Sequence, residues 1–250
     1  MNDRSAMNKL FLSMHLIVMV PCMICCSCTG WKEKKIRSAE QVIEASLHAV
    51  GSEADRKGVR NMILFANCSS PKGHYTTEIH TASDGYSYFK QKYSYTPGVY
   101  EAVILSKTSG VQLLNPVKQL GREAIYTIRG HAFINMILEV DQRFRHFLEP
   151  EIVESGSVKS YRLKATDELD HPCYLFFDMK TNLFTALHFQ DPVNEKEIIV
   201  IKFSGWKKVQ DLQVPHHVEI NQGDKAFTFD MVKIGFNDPG FQKKEVHDKN

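Results

Sequence analysis

The apolar positions of this chain change period several times, and each change marks an element. Residues 10–24 form one nearly continuous apolar run, interrupted by Ser13, His15 and Pro21. From Ser38 the apolar residues return at helical spacing, with Val42, Ile43, Ala49 and Val50 on one weak stripe that also carries Ser46. Ser38 and Gln41 have the spacing of a capping box, and Gly51 supplies a stop. The stripe carries little apolar mass, so this helix needs a larger surface to pack on.

After Gly58 the period becomes two. Strands are predicted at 59–66, 75–81, 86–95, 100–105 and 111–114. Asp84-Gly85 marks a tight hairpin, and Thr96-Pro97-Gly98 and Lys107-Thr108-Ser109-Gly110 mark further turns. In the first strand Ile63 and Phe65 share one face, and Met62 and Leu64 share the other. Local turns between successive strands predict an antiparallel meander. The middle of the chain then reads as helical. Phe133, Ile137, Val140, Phe144 and Phe147 recur at steps of three and four, Ile134 and Leu138 widen the stripe, and Pro150 ends it. This predicts one helix over 131–148, with a shorter one over 116–125. Strands resume at 160–165, 173–177, 183–190, 197–206, 216–220 and 225–236. The residues after Gly240 are polar and are expected to fray. The pattern predicts a single α+β domain over residues 38–242, followed by a polar tail at 243–250.

The N-terminal run has Arg4 and Lys9 before it and Cys25-Cys26-Ser27-Cys28 at its end. A basic region, an apolar region and a small-residue cleavage point are the parts of an export signal. The cysteine at that point resembles the lipobox of bacterial lipoproteins, in which the cysteine becomes the first mature residue and carries acyl chains. Cys28 fits best, since Ser27 and Cys26 precede it; the Leu usual in that motif is missing. Residues 1–27 are then a lipoprotein signal peptide and 28–37 a tether. An uncleaved membrane anchor and a plain secretory signal are the alternatives.

Composition narrows the function by exclusion. The 250-residue chain has a net charge of +2, without the large basic field that nucleic-acid binding calls for. Four of its six cysteines lie in the signal region, leaving Cys68 and Cys173, either as a disulfide or as two buried thiols. His216 and His217 are adjacent on a predicted strand and point to opposite faces, and the body carries no closed ligand motif, so no metal is expected. Nucleotide loops, dinucleotide fingerprints and nucleophile elbows are absent from the sequence. Tyr86, Tyr88, Phe89, Tyr93 and Tyr95 fit a strand with one buried face better than a stacking platform. No catalytic site and no cofactor are expected.

The order of elements resembles the LolA/LolB-like superfamily of periplasmic lipoprotein carriers and outer-membrane acceptors. The likeness rests on Ser38-Ala39-Glu40-Gln41-Val42-Ile43 through Gly51 and on Ser160-Tyr161-Arg162-Leu163. It continues through Cys173-Tyr174-Leu175-Phe176-Phe177-Asp178 with Thr181-Asn182-Leu183, then Ser204-Gly205-Trp206, Asp211 and Val214-Pro215-His216, to Phe236-Asn237-Asp238-Pro239-Gly240-Phe241. Residues 117–150 depart from the pattern, being longer and more helical. The resemblance implies one antiparallel, strongly curved sheet, an incomplete β-barrel covered by helices that enclose a cavity for acyl chains. It implies a non-catalytic protein, anchored through lipid to the outer membrane and facing the periplasm, with lipids or lipoprotein acyl chains as partners. Ile63, Phe65, Phe133, Ile137, Val140 and Phe144 are the candidate residues for that cavity, or for an ordinary filled core. The alternative function is an envelope module that recognises a partner protein with the same fold.

Overall fold

The computed structural model describes residues 37–114, 116–191 and 197–246. The signal segment, Cys28, nearly all of the tether and residues 247–250 lie outside the described residues. The first half begins with α1 (Ala39–Val50) and α2 (Glu53–Lys57). Six strands follow: β1 (Asn61–Ser70), β2 (Gly73–Ala82), β3 (Ser87–Tyr93), β4 (Val99–Ile104), β5 (Gly110–Gln112) and β6 (Lys118–Gln119). The middle holds α3 (Arg122–Gly130), α4 (Phe133–Leu138) and α5 (Val140–Arg143). The second half consists of β7 (Glu151–Ser155), β8 (Val158–Thr166), β9 (Pro172–Asp178), β10 (Phe184–Gln190), β11 (Ile198–Ser204), β12 (Lys207–Val209), β13 (Leu212–Val214), β14 (His217–Gln222) and β15 (Lys225–Phe236).

Thirteen strands form one open antiparallel sheet in the order β6-β5-β4-β3-β2-β1-β15-β14-β11-β10-β9-β8-β7, while β12 and β13 pair as a separate hairpin. Each half is a meander of local hairpins. The Asp-Gly turn between β2 and β3 places Gly85 at φ +90°, a conformation that a Cβ would strain. The halves meet where β15, the longest strand, pairs with β1 from Met62↔Phe236 to Ser69↔Thr228, with a bulge between Phe65 and Ala66.

Register lines up large side chains across the sheet. One row runs Leu163↔Leu175↔Leu187↔Ile201↔Ile220↔Phe227. A second runs Phe203↔Val218↔Phe229↔Cys68↔Tyr75↔Tyr93. Strand side chains alternate between faces, so each row lies on a single face. Both rows belong to the main core, which also takes in Val42, Ile43, Leu47 and Val50 of α1 and the buried residues of α3, α4 and α5. The capping box of α1 forms as its spacing predicts. A Cβ at Gly51 would come within 2.6 Å of Leu212 Cδ2 and 3.2 Å of the Asp211 carbonyl oxygen, so a larger residue there would have to push the Leu212 side chain aside.

The middle segment departs from the predicted helix over 131–148. The helix breaks at Glu139 (φ −122°, ψ 29°), and Phe144 is extended (φ −125°, ψ 151°). Arg145 then exchanges both backbone hydrogen bonds with Thr166, at 2.9 and 2.8 Å, in an isolated bridge. That bridge competes with continued helix for the same backbone groups, and Pro150 bars the helix beyond it. The predicted helix over 116–125 is β6 followed by α3. Strand β7, helix α2 and the β12–β13 hairpin lack a strong period and were not foreseen. The segment after Gly240 is tied down as far as it is described: Phe241 meets Tyr86 edge-on at 6.1 Å, and Lys244 N–H donates to Tyr86 Oη at 2.6 Å.

Leu163 is fully buried in the row above, whereas Ile152 on edge strand β7 is 42% exposed. Leu163→Ala should cost about 2–5 kcal/mol in urea denaturation, and Ile152→Ala about 0.5 kcal/mol or less. Equal losses would contradict the difference in burial between the two positions.

Candidate functional site

The two apolar rows do not stay filled along their length. Where they cross β2, β3, β10, β11, β14 and β15, a cavity of about 630 Å³ separates the sheet from α3 and α4. Its sheet wall is Tyr75, Tyr93, Leu187, Ile201, Ile220, Phe227 and Phe229. The next residues along the same strands, Phe189, Ile199, Gln222 and Lys225, extend it to the tip of the β14–β15 hairpin. Ser70, Pro71 and Lys72 of the β1–β2 turn, with Tyr95, complete that rim. The helical wall is Tyr126, Thr127 and Gly130 of α3, His131, and Phe133 and Met136 of α4. Phe133 packs edge-on to Phe229 at 5.3 Å and Phe203 at 6.3 Å, so it joins helix to sheet at one end of the space.

Of the six candidate residues, Phe133 alone lines this cavity. Ile137, Val140 and Phe144 are buried in the core beside it, Phe144 against Phe184 at 6.2 Å. Ile63 and Phe65 point away from the row that contains Met62 and Leu64. Phe65 faces His80 and lies under the Lys233 ammonium at 5.7 Å. The helical stripe therefore drew attention to core, while most of the cavity wall comes from strands. A readable signal existed: Leu187/Phe189, Ile199/Ile201 and Phe227/Phe229 are i, i+2 pairs of large apolar residues on one face each.

Polar groups interrupt the wall at Gln91, Tyr126, Thr127 and His131 and along the rim. Tyr126 Oη donates to the buried Asp167 carboxylate at 2.5 Å, and Asp167 also accepts from the backbone N–H groups of Leu169 and His171 at 2.8 and 2.9 Å. His131 sits among Phe89, Phe133 and Phe229, with ring centroids at 5.1, 6.0 and 5.8 Å. Burial pushes its imidazole below the ordinary value, partly opposed by a bond to the Thr127 carbonyl. His188, tilted against Phe176 with ring centroids 4.3 Å apart, is lowered by burial and then by Lys202 and Arg162.

A polar cleft of about 270 Å³ lies elsewhere, lined by Thr81, Ser87, Lys107, Arg129, Arg143 and Glu168 among others. Arg129 donates to both oxygens of Glu168, at 2.8 and 3.3 Å, and Arg143 donates at 3.4 Å. Burial alone would raise the Glu168 carboxyl, but Arg143, Arg129 and Lys107 outweigh it and hold the carboxyl low. This cluster pins the β8–β9 turn to α3 and α5. Cys68 and Cys173 are both free and buried, and burial pushes each thiol up to about 12. Among the described residues no group of three His, Cys, Asp or Glu side chains is placed to hold a metal. Nor is any described helix long and apolar enough to cross a membrane.

No protein-family model and no curated protein matches the chain. Solved structures do. A LolA superfamily protein from Nitrosomonas europaea, 9% identical, aligns over 81% of this chain and 94% of its own with a TM-score of 0.56. A DUF1329 family protein from Desulfovibrio piger, 11% identical, gives the same coverage and a TM-score of 0.57. A domain described as an outer membrane lipoprotein-sorting protein, from Vibrio parahaemolyticus, is 12% identical over 80% of this chain and 95% of its own, with a TM-score of 0.51. The chain has the LolA-like fold.

His131 and His188 both resist protonation in the folded state. The unfolded chain takes up those protons near pH 6.5. Acidification through that range therefore favours unfolding. The melting temperature should fall between about pH 7 and 5, and His131→Phe with His188→Phe should flatten that part of the fall. An unchanged slope in the double variant would show that neither ring is held neutral.

Proposed function

We propose that this protein is a lipid-anchored, non-catalytic binder of lipids or lipoprotein acyl chains in the bacterial cell envelope. In this reading the sheet curves into an incomplete barrel, α3 and α4 cover its concave face, and the ligand lies between them. The observation that carries the reading is the 630 Å³ apolar cavity. It lies within the usual range for small-molecule sites. A space of this size can take a hydrocarbon chain. Each Å² of hydrocarbon removed from water there contributes about 25 cal/mol. The shared fold with a LolA superfamily protein and with a lipoprotein-sorting domain supports the same reading.

Anchoring follows from the sequence. Acylation at Cys28 would hold the domain to the outer membrane, facing the periplasm, and one chain alone binds only marginally, so a lipoprotein's multiple chains are needed. Loading requires α3–α4 or the rim hairpins to give way. The loaded and empty states must differ by only a few kcal/mol for ligand contacts to choose between them.

Native mass spectrometry of the purified protein should reveal co-purifying lipid, and a fluorescent fatty-acyl probe should bind the stripped protein. Ile199→Trp, which fills the wall near the rim, should cut probe affinity at least about tenfold with the melting temperature little changed. Absence of both lipid and probe binding contradicts the carrier reading and favours an envelope module that recognises a partner protein. Separately, Cys28→Ser should abolish incorporation of labelled fatty acid; unchanged labelling would place the anchor elsewhere.

A further inference from the structure

Several polar groups on the cavity wall have protein partners already. Tyr126 is held by Asp167, Tyr93 Oη donates to Gln91 Oε1 at 2.6 Å, and Gln222 Nε2 donates to Asp191 at 2.6 Å. His131 differs. Its Nδ1 lies 2.8 Å from the Thr127 carbonyl oxygen. A carbonyl only accepts, so Nδ1 carries the ring proton and the neutral ring presents Nε2 as a bare acceptor. Nε2 has no protein partner among the described residues, and it sits at the edge of the ring away from the helix carbonyl. Three phenyl rings fix the imidazole in place on the cavity wall. Protonating Nε2 would put a cation in this apolar surround, and burial keeps the ring neutral near pH 7.

We infer that the ligand of this cavity carries a neutral hydrogen-bond donor, a hydroxyl or an amide N–H, which His131 Nε2 accepts. This rests on the lipid-binding reading above and deepens it by naming the polar chemistry of the amphiphile. A fixed acceptor in apolar surroundings selects by what it leaves unpaired. A chain with a donor at the right place satisfies Nε2. An ether or ester at that place leaves Nε2 desolvated and empty. A carboxylate sets its own lone pairs against that of the imidazole. Hydrophobic contact supplies affinity to all three, so the acceptor governs discrimination among them.

The test compares 1-hexadecanol, its methyl ether and palmitate at about pH 8 as competitors of a fluorescent acyl probe on the purified protein; at that pH a carboxyl is ionised and an imidazole neutral. The alcohol should compete about tenfold more tightly than the ether, and palmitate, which offers Nε2 no donor, should lose no affinity when His131 is replaced. His131→Phe keeps the ring contacts and removes the acceptor. It should leave the ether's affinity in place and abolish the preference for the alcohol. His131→Gln, which restores an acceptor, should recover part of it. Should His131→Phe fail to fold, the alcohol–ether comparison on the natural protein decides alone. Equal binding of alcohol and ether, or an unchanged preference in folded His131→Phe, overturns the inference while leaving the cavity reading intact. Failure of all three amphiphiles and the probe to bind overturns both.

Discussion

The domain depends on the pairing of β1 with β15. Each meander is built from hairpins whose turns set their own register, but no turn joins these two strands. Their pairing closes a loop that contains nearly the whole domain. The entropy of that closure grows slowly with length but must be met before any contact across the seam forms. The seam meets it with the longest strand of the sheet and a pairing that runs from Met62↔Phe236 to Ser69↔Thr228. Without it the row Phe229↔Cys68↔Tyr75 would be cut between its first two members, and the cavity would lose the continuity of its wall. The bulge at Phe65/Ala66 adds local twist at this point.

The two faces of the sheet meet different demands. Next to the seam the outer face carries Glu78, Lys90 and Glu101 in register, with Lys90 Nζ 3.3 Å from Glu101, a partly exposed pairing. Such pairs add little stability; farther along the same face Tyr88 and Val103 are buried in a second, smaller cluster with Phe241 packed against it. The inner face is aliphatic and aromatic and cannot be left wet. The helical insert supplies its partners unevenly. Ile134, Ile137, Leu138 and Val140 are buried in a packed core, while Phe133 and Met136 stand at the wall of an open space. The break at Glu139 is central to this arrangement. A continuous helix to residue 148 would carry Phe144 and Phe147 onward in line; instead Phe144 turns into an extended segment and packs on Phe184. The helices are thus short, and they leave part of the apolar surface uncovered.

Much of this was readable in the sequence. Strand alternation located most strands, and the capping box, the Asp-Gly turn and the stop at Gly51 fixed local ends because each rests on chemistry within a few residues. The element order pointed to the LolA-like fold that the solved structures share. The site was less legible. Spacing at three and four identified a buried stripe at 133–144, but burial in a core and burial at a cavity wall have the same periodicity. Ile63 and Phe65 illustrate the second limit. Period two divides a strand into faces without saying which one is inner, and here the inner face is that of Met62 and Leu64. His131 gave no such signal, since its surroundings depend on the rings of Phe89, Phe133 and Phe229 meeting around it from three elements.

The central claim is that an acyl chain occupies the space between the sheet and α3–α4. The most direct measurement is methyl NMR of the protein with a fatty-acyl chain bearing a spin label near its terminal methyl. The methyl signals of Leu187, Ile199, Ile201 and Ile220 should broaden on addition of the labelled chain and recover on addition of excess unlabelled chain, while that of Ile63 on the opposite face stays sharp. Broadening confined to outer-face methyls such as Ile63, or none at saturating probe, would contradict the account.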